Sequence, residues 1–225
     1  MLKSKWLILY FVTLLADLTL IGLQMDAYRY TTKPLLMLIL AIYFFQAEIT
    51  IPKGHRSLML AALLFSFLGD VLLMFDHLFL PGLGSFLVAH LFYIAFFLKI
   101  RFSGTPRPLC KWGLVILNAA VIIGFILFMF PHLGSMTIPI IIYSIVISIT
   151  LQSVLHAFRF TIHPAGWYCL AGAILFICSD AMIAIGKFYH PITAGGIWVM
   201  LTYGIAQWGL VYGSVRYFQE RIAHQ

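Results

Sequence analysis

Three carboxylates interrupt stretches of this sequence that are otherwise apolar, namely Asp17, Asp70 and Asp180. Ionisable side chains are expensive inside a membrane and usually have a functional reason there. Asp70 lies six residues before Asp76, and Asp180 lies seven residues before Lys187, where the two helices are expected to end at the same face of the membrane. At a rise of about 1.5 Å per residue, the two carboxyl groups lie roughly 9 and 10 Å below that face. His90 lies roughly 12 Å deep on the same side. Three ionisable groups at one level therefore predict a shared polar cavity that opens away from the cytoplasm and has a function.

Other polar residues near these depths are candidates for contacting a substrate. Ser66 precedes Asp70 by one helical turn, so we expect it to hydrogen bond the Asp70 carboxylate. Lys33 would place positive charge at the cavity mouth. The serines could instead satisfy backbone carbonyls, the aromatic residues could lie at the membrane interface, and Asp17 could be a structural partner for another helix. The candidate substrate-binding residues are Lys33, Ser66, His90, Tyr93, Ser179, Tyr203 and Gln207.

Motifs for metals and cofactors are missing from the sequence. The eight histidines form neither HxxxH nor HExxH, and the three cysteines have no CxxC spacing. There is no GxSxG elbow and no glycine-rich phosphate or dinucleotide motif. We therefore expect no metal and no cofactor. One alternative stays open, a metal-dependent lipid hydrolase in which His77, His90 and His190 meet Asp70 or Asp180.

The composition indicates a membrane protein. Of 225 residues, 63% are hydrophobic and 9% are charged, whereas soluble domains carry about 25% charged residues. A span needs about 20 residues, so the chain has room for about eight. We predict an all-α, polytopic protein whose residues 1–225 form one transmembrane domain. Its segments are Trp6–Leu23, Lys33–Ala47, Ser57–Phe75, Leu83–Leu98, Trp112–Phe130, Met136–Ala157, Ala165–Ile185 and Gly195–Tyr217.

The basic residues predict the orientation. With eight spans, eleven of the fourteen Lys and Arg residues fall on the side of the two termini. Cytoplasmic loops carry this excess, so we expect both termini in the cytoplasm. The net charge of +7 then reflects topology and not nucleic-acid binding. Because Asp17 interrupts the first apolar run and no small-residue cleavage site follows it, we expect a retained helix and not a leader.

Five motifs, in this order along the chain, resemble the lysoplasmalogenase (YhhN-like) family. The resemblance implies a membrane hydrolase that cleaves the vinyl ether bond of lysoplasmalogens with ethanolamine or choline head groups. It also implies a lysophospholipid partner, surrounding membrane lipids and no cofactor, in a bacterial inner membrane. The motifs are Thr32-Lys33-Pro34-Leu35, Phe65-Ser66-Phe67-Leu68-Gly69-Asp70, His90-Leu91-Phe92-Tyr93, Ser179-Asp180 and Tyr203-Gly204-Ile205-Ala206-Gln207.

The chemistry of a vinyl ether fits two buried acids. Protonation at carbon gives an oxocarbenium ion that water traps, and glycosidases solve a related problem with two carboxyl groups. We expect Asp70 and Asp180 to be catalytic, Lys33 to meet the phosphate and Tyr203 or Gln207 to orient water. The alternative is a proton-coupled transporter with Asp70, Asp180 and His90 as a relay. A faint similarity between Phe65–Asp70 and Leu175–Asp180 is compatible with the repeats of transporters.

Overall fold

The computed structural model describes residues 2–47, 51–103 and 112–223, without the side chains of residues 2–4 and 223. This part of the chain is helical, as predicted, and each of the eight expected segments corresponds to one α-helix. Three single turns of 3-10 helix lie in the connections before α4 and before α6. The helices are α1 (Leu2–Gly22), α2 (Asp26–Phe45), α3 (Lys53–Leu72), α4 (Phe79–Phe102), α5 (Trp112–Met129), α6 (Thr137–Ala157), α7 (Gly166–Phe188) and α8 (Gly195–Ala223).

Two predicted helix starts, at Lys33 and at Leu83, are wrong because a proline is accommodated inside each helix. Helix α2 begins at Asp26 rather than at Lys33, and Pro34 lies within it. Contacts between its first two turns and α1, described below, hold these turns in place. Helix α4 begins at Phe79, so that Pro81 falls in the first turn, where a backbone N–H has no intrahelical partner to lose. Residues 104–111, in the connection expected between Leu98 and Trp112, lie outside the described residues.

Six of the helices in the described ranges are long and apolar enough to cross a membrane. They are α1, α3, α4, α5, α6 and α7. In the two others, Asp26, Arg29 and Lys33 lie in the first half of α2, and Arg216, Glu220 and Arg221 lie near the end of α8. With several such helices, the chain is a multi-pass integral membrane protein.

Seven helices contact one another in a closed order, and the fifth packs outside them. Around the ring, α1 packs on α2, then α3, α4, α6, α7 and α8, and α8 returns to α1. Helix α5 packs chiefly against α6. Its exposed side chains include Ile116, Leu117 and Leu127, each at least 60% exposed, which suits contact with lipid.

Helices α7 and α8 approach each other closely at two glycines one turn apart, Gly209 and Gly213. A Cβ atom at Gly213 would lie 2.6 Å from the Cys169 sulfur and 2.9 Å from the Ala165 carbonyl oxygen. A Cβ atom at Gly209 would lie 2.8 Å from the Tyr168 carbonyl oxygen. Small residues at this spacing let membrane helices pack backbone to backbone. This packing fixes the position of α8 in the bundle. The side chains of Tyr203 and Gln207 on α8 lie in the interior of the bundle.

Candidate active site

Asp70 on α3 is held by one cation and one phenol. Its side chain is 1% exposed. The Tyr203 hydroxyl of α8 donates a hydrogen bond to Asp70 Oδ2 at 2.8 Å, and Lys33 Nζ of α2 lies 3.7 Å from Asp70 Oδ1. Opposite charge at this range stabilises the ionised form of a carboxyl group. The site therefore places the buried Asp70 carboxyl group beside an ammonium group that favours its ionised form.

A chain of hydrogen bonds runs from α4 through α8 to Asp70. The Tyr93 hydroxyl donates to Gln207 Oε1 at 2.5 Å. Gln207 Nε2 donates to Ser66 Oγ at 3.1 Å and to the Tyr203 oxygen at 3.3 Å. The chain joins three helices, and a buried network with its members paired fixes the orientation of each of them. We call Lys33, Ser66, Asp70, Tyr93, Tyr203 and Gln207 together the Asp70 network.

Asp180 on α7 has different surroundings. The Tyr143 hydroxyl of α6 donates a hydrogen bond of 2.5 Å to Asp180 Oδ2. Within the described ranges, no Lys or Arg lies within ion-pair distance of the Asp180 carboxyl group. Asp180 is half-buried and lines a cavity of about 270 Å³ whose other walls are mainly apolar. An apolar setting without a cation disfavours a charged carboxylate, so Asp180 is suited to carry a proton.

His90 on α4 lies beside the Asp180–Tyr143 pair. Its ring is 5.7 Å from the Tyr143 ring and 4.6 Å from the Phe176 ring, centroid to centroid. His90 Nδ1 is 3.2 Å from Thr150 Oγ1, while the buried Nε2 atom has no hydrogen-bond partner among the residues that the structure describes. Buried polar atoms are generally satisfied. The free ring nitrogen is therefore a candidate to hold water or a polar atom of a substrate.

Two phenylalanines lie between the Asp70 network and Asp180. Phe86 and Phe176 contact each other edge to face, and their ring centroids are 5.8 and 5.5 Å from that of Tyr203. A Cβ atom on Gly69 would lie 2.6 Å from the Phe86 ring, so glycine at this position lets Phe86 pack directly against α3. In the described part of the chain, no hydrogen bond or ion pair joins the two carboxyl groups. An aromatic wall separates them.

Three of the expected contacts differ in the structure. Ser66 accepts a hydrogen bond from Gln207, because α8 brings an amide within hydrogen-bond distance of it. Lys33 does not stand free at a cavity mouth, since its ammonium group faces Asp70. Ser179 is fully buried and donates to the Val199 carbonyl oxygen at 3.1 Å. It therefore links α7 to α8, as the backbone alternative for the serines predicts.

Asp17 joins α1 to α2 and lies outside the Asp70 network. The Thr32 hydroxyl donates to Asp17 Oδ1 at 2.6 Å, and Arg29 Nε lies 3.6 Å from the same oxygen. The Asp17 side chain is fully buried. These contacts hold the first turns of α2 against α1 and thereby position Lys33. Across the described residues, no group of three or more His, Cys, Asp or Glu side chains is placed to bind a metal ion.

A model of the YhhN family matches residues 28–214. The chain belongs to this family. The match includes all six residues of the Asp70 network together with His90, Tyr143 and Asp180, and excludes Asp17. Within this YhhN-family chain the candidate site thus lies wholly in the part that is shared with the family.

Two relatives illustrate how far the similarity extends. A lysoplasmalogenase of Mycobacterium bovis is 31% identical over 174 residues, which cover 75% of this chain and 64% of the relative. A human lysoplasmalogenase is 30% identical over 164 residues, which cover 72% of this chain and 66% of the relative. The matched part is therefore slightly less than two thirds of the length of these relatives. No solved structure matches the chain.

Sequence reasoning missed Tyr143 and Thr150 on α6. Tyr143 lies six residues into α6, hence roughly 9 Å from the same end of the bundle as Asp70 and Asp180. Counting residues from the helix end, which indicates the depth of the two carboxyl groups, therefore also indicates the depth of the Tyr143 hydroxyl. Thr150 has no such signal, because its hydroxyl also bonds the Val146 carbonyl oxygen of its own helix, as threonines in membrane helices often do.

Proposed function

We propose that this YhhN-family chain is a hydrolase that cleaves the vinyl ether bond of lysoplasmalogens within the membrane. The products are a fatty aldehyde and glycerophosphoethanolamine or glycerophosphocholine. The observation that carries the proposal is a carboxyl group, Asp180, exposed to a mainly apolar cavity of about 270 Å³. Such a cavity accepts the hydrocarbon end of a lysolipid and presents an acid to its first carbons. The names of the two relatives support the same activity.

The reaction begins with a proton from Asp180. The proton is added to the second carbon of the alkenyl chain, and the first carbon becomes an oxocarbenium ion. Water attacks the first carbon and returns a proton to the Asp180 carboxylate, which yields a hemiacetal. The hemiacetal then breaks its bond to the glycerol oxygen, and the proton of its hydroxyl group passes to that oxygen, giving aldehyde and alcohol, so atoms and charge balance without a cofactor. Asp180 therefore acts first as acid and then as base, as in retaining glycosidases.

The other polar groups assist these steps. The Tyr143 hydroxyl fixes the Asp180 carboxyl group through its hydrogen bond. His90 Nε2, free of other partners, holds the attacking water. Asp70 contributes fixed negative charge that stabilises the oxocarbenium ion across the aromatic wall. Preorganised charge of this kind is worth most in a site that excludes water.

Hydrolysis in heavy water tests the bond that is broken. Purified protein in detergent should convert a lysoplasmalogen to aldehyde carrying one solvent deuterium at the carbon next to the carbonyl group. The deuterium is expected because the solvent-derived proton is added to carbon. Mass spectrometry of the rapidly trapped aldehyde measures it, and rapid trapping limits later exchange.

Two controls separate this chemistry from other possibilities. A matched acyl lysolipid should survive, since an ester has no vinyl carbon to protonate, and chelators should leave the rate unchanged. Release of fatty acid from the ester, abolished by chelation, would contradict the proposal and favour a metal-dependent hydrolase. Binding of the lysolipid without any product would instead favour a transporter.

We also propose eight membrane spans with both termini in the cytoplasm of a bacterium, in its inner membrane, and residues 1–225 as one transmembrane unit. Positive charge supports this orientation: Lys53, Arg101, Arg159 and Arg221 lie at one end of the bundle. Helices α2 and α8 would cross despite their charges because Lys33 pairs within the bundle and the charges of α8 lie at its end.

Single cysteines in a background that lacks the three native ones test the orientation. In intact cells, a cysteine at exposed His77 should react with an impermeant thiol reagent, and one at exposed Lys53 should react only after the cells are opened. Both sites lie outside the Asp70 network, so labelling and activity can be measured on the same protein. The opposite labelling pattern would contradict the orientation.

A further inference from the structure

Two adjacent apolar cavities form a groove along α5, α6 and α7 on the outside of the ring. The outer cavity, of about 270 Å³, contains Asp180 and lies at the Phe125 end of α5, and the inner cavity, of about 540 Å³, lies at the Leu114 end. The two cavities share the side chains of Val121, Ile122, Ile177 and Cys178, so they lie side by side. Their volumes are close to or within the range of about 300–1,000 Å³ that is typical of ligand pockets.

The length of the groove matches a single hydrocarbon chain. On α5 its lining extends from Leu114 in the inner cavity to Phe125 in the outer cavity, roughly 16 Å at about 1.5 Å per residue. The hydrocarbon core of a bilayer is about 30 Å thick, so the chains of one leaflet extend about 15 Å. The inner cavity also contains Leu151 and Trp167, and its walls are almost entirely apolar.

A cation stands at the outer end of the groove. Lys187 follows Asp180 on α7 by seven residues, roughly 10 Å at about 1.5 Å per residue. Its Nζ atom lies 4.6 Å from the centroid of the Phe79 ring, which lines the outer cavity. The partner of Lys187 is Asp76, at 3.8 Å and fully exposed. Exposed ion pairs contribute little, so a phosphate can replace Asp76.

We infer that this groove binds the whole lysolipid, with its chain in the inner cavity, its vinyl ether at Asp180 and its phosphate at Lys187. The inference rests on the proposed function and adds the binding mode and the direction of entry. The substrate enters sideways from the bilayer, between α5 and α7. Lys187 replaces Lys33 as the phosphate ligand, because Lys33 is engaged by Asp70.

The shape of the groove then determines which lengths of hydrocarbon chain the protein accepts. A chain that moves from lipid into an apolar groove leaves one hydrocarbon environment for another, so burial itself supplies little driving force. Selectivity must come from whether the chain fits the space beyond Asp180. A bulky residue in the inner cavity should therefore reject long chains and leave short chains unaffected.

The variant Leu151→Trp tests this reading, with Ile116→Trp as the matched control. Leu151 is half-buried in the floor of the inner cavity, whereas Ile116 is 66% exposed on α5 and lines neither cavity. The ratio of kcat/KM for octadecenyl over octenyl lysoplasmalogen should fall at least about tenfold in Leu151→Trp. It should stay unchanged in Ile116→Trp. An unchanged ratio in folded Leu151→Trp, or equal losses for both substrates, would contradict the groove.

A photolabel provides a test that does not depend on turnover. The probe is a saturated octadecyl ether lysophosphatidylethanolamine with a diazirine at the chain end. In the wild-type protein it should crosslink to the inner-cavity segments 114–118, 151–155 and 167–174, and Lys187→Gln should weaken the labelling. Unlabelled ether lysolipid should compete, and diacyl phospholipid should not. Equal competition by both would mean that bulk lipid fills the groove. Specific labelling without aldehyde formation would preserve the groove and overturn the proposed function.

Discussion

Replacing Asp180 with Asn should lower turnover of a lysoplasmalogen at least about a hundredfold, as expected when a general acid is lost. The amide has the shape of the carboxyl group, and its oxygen can still accept the Tyr143 hydrogen bond, so the protein should fold. It cannot donate a proton of comparable acidity to carbon. Aldehyde release per folded protein, after size-exclusion chromatography, measures the effect.

Asp17→Asn is the matched control for this variant. Asp17 is another carboxyl group on a membrane helix and is fully buried, but its contacts are with Thr32 and Arg29 and not with the groove. The oxygen of Asn can still accept the Thr32 hydrogen bond that holds α2, so Lys33 should keep its place, and we expect turnover per folded protein to remain within a few-fold of the wild-type value. If folded Asp180→Asn were as active as Asp17→Asn, Asp180 would have no part in the reaction.

Replacing Asp70 with Asn should also lower turnover at least about a hundredfold, because the buried negative charge near the oxocarbenium ion is lost. The same change removes a partner of Lys33. Removing one member of a buried ion pair leaves an uncompensated charge and costs about 3–5 kcal/mol of stability. Lys33→Met should destabilise the protein for the same reason, and unfolding in detergent measures both changes.

The double variant Lys33→Met/Asp70→Asn separates stability from chemistry. With both charges gone, most of the lost stability should return, because no unpaired charge stays buried. Activity should stay low, since the carboxylate is still missing. Recovery of activity together with stability would show that Asp70 serves only the fold, and Asp180 would then act without a second carboxylate.

The hydrocarbon environment made much of the fold predictable. Lipid offers no hydrogen-bond partners, so each span must satisfy its own backbone groups as a helix, and apolar runs can be read directly as helices. This is why all eight expected segments are present as α-helices. The start of α2 was misjudged because Pro34 usually marks a boundary, whereas Thr32 and Arg29 reach Asp17 on another helix and hold the preceding turns.

The sequence by itself predicted a similar depth for Asp70 and Asp180, because depth along a helix follows from counting residues. The spacing of four residues in the sequence also places Tyr203 and Gln207 on one face of a helix, and their side chains lie in one network. What it could not determine is which helices are neighbours. The hydrogen bond between Tyr93 and Gln207 spans 114 residues, and nothing local to either residue encodes it.

Only the tertiary structure decided how the two carboxyl groups differ. The packing of α2 on α3 gives Asp70 an ammonium partner, while the position of α5 outside the ring leaves Asp180 facing an apolar groove. Both are aspartates in apolar helices, and the local sequence around each of them gives no sign of this difference. Their chemistry diverges because the energy of a buried charge depends on what surrounds it in three dimensions, and those surroundings come from other helices.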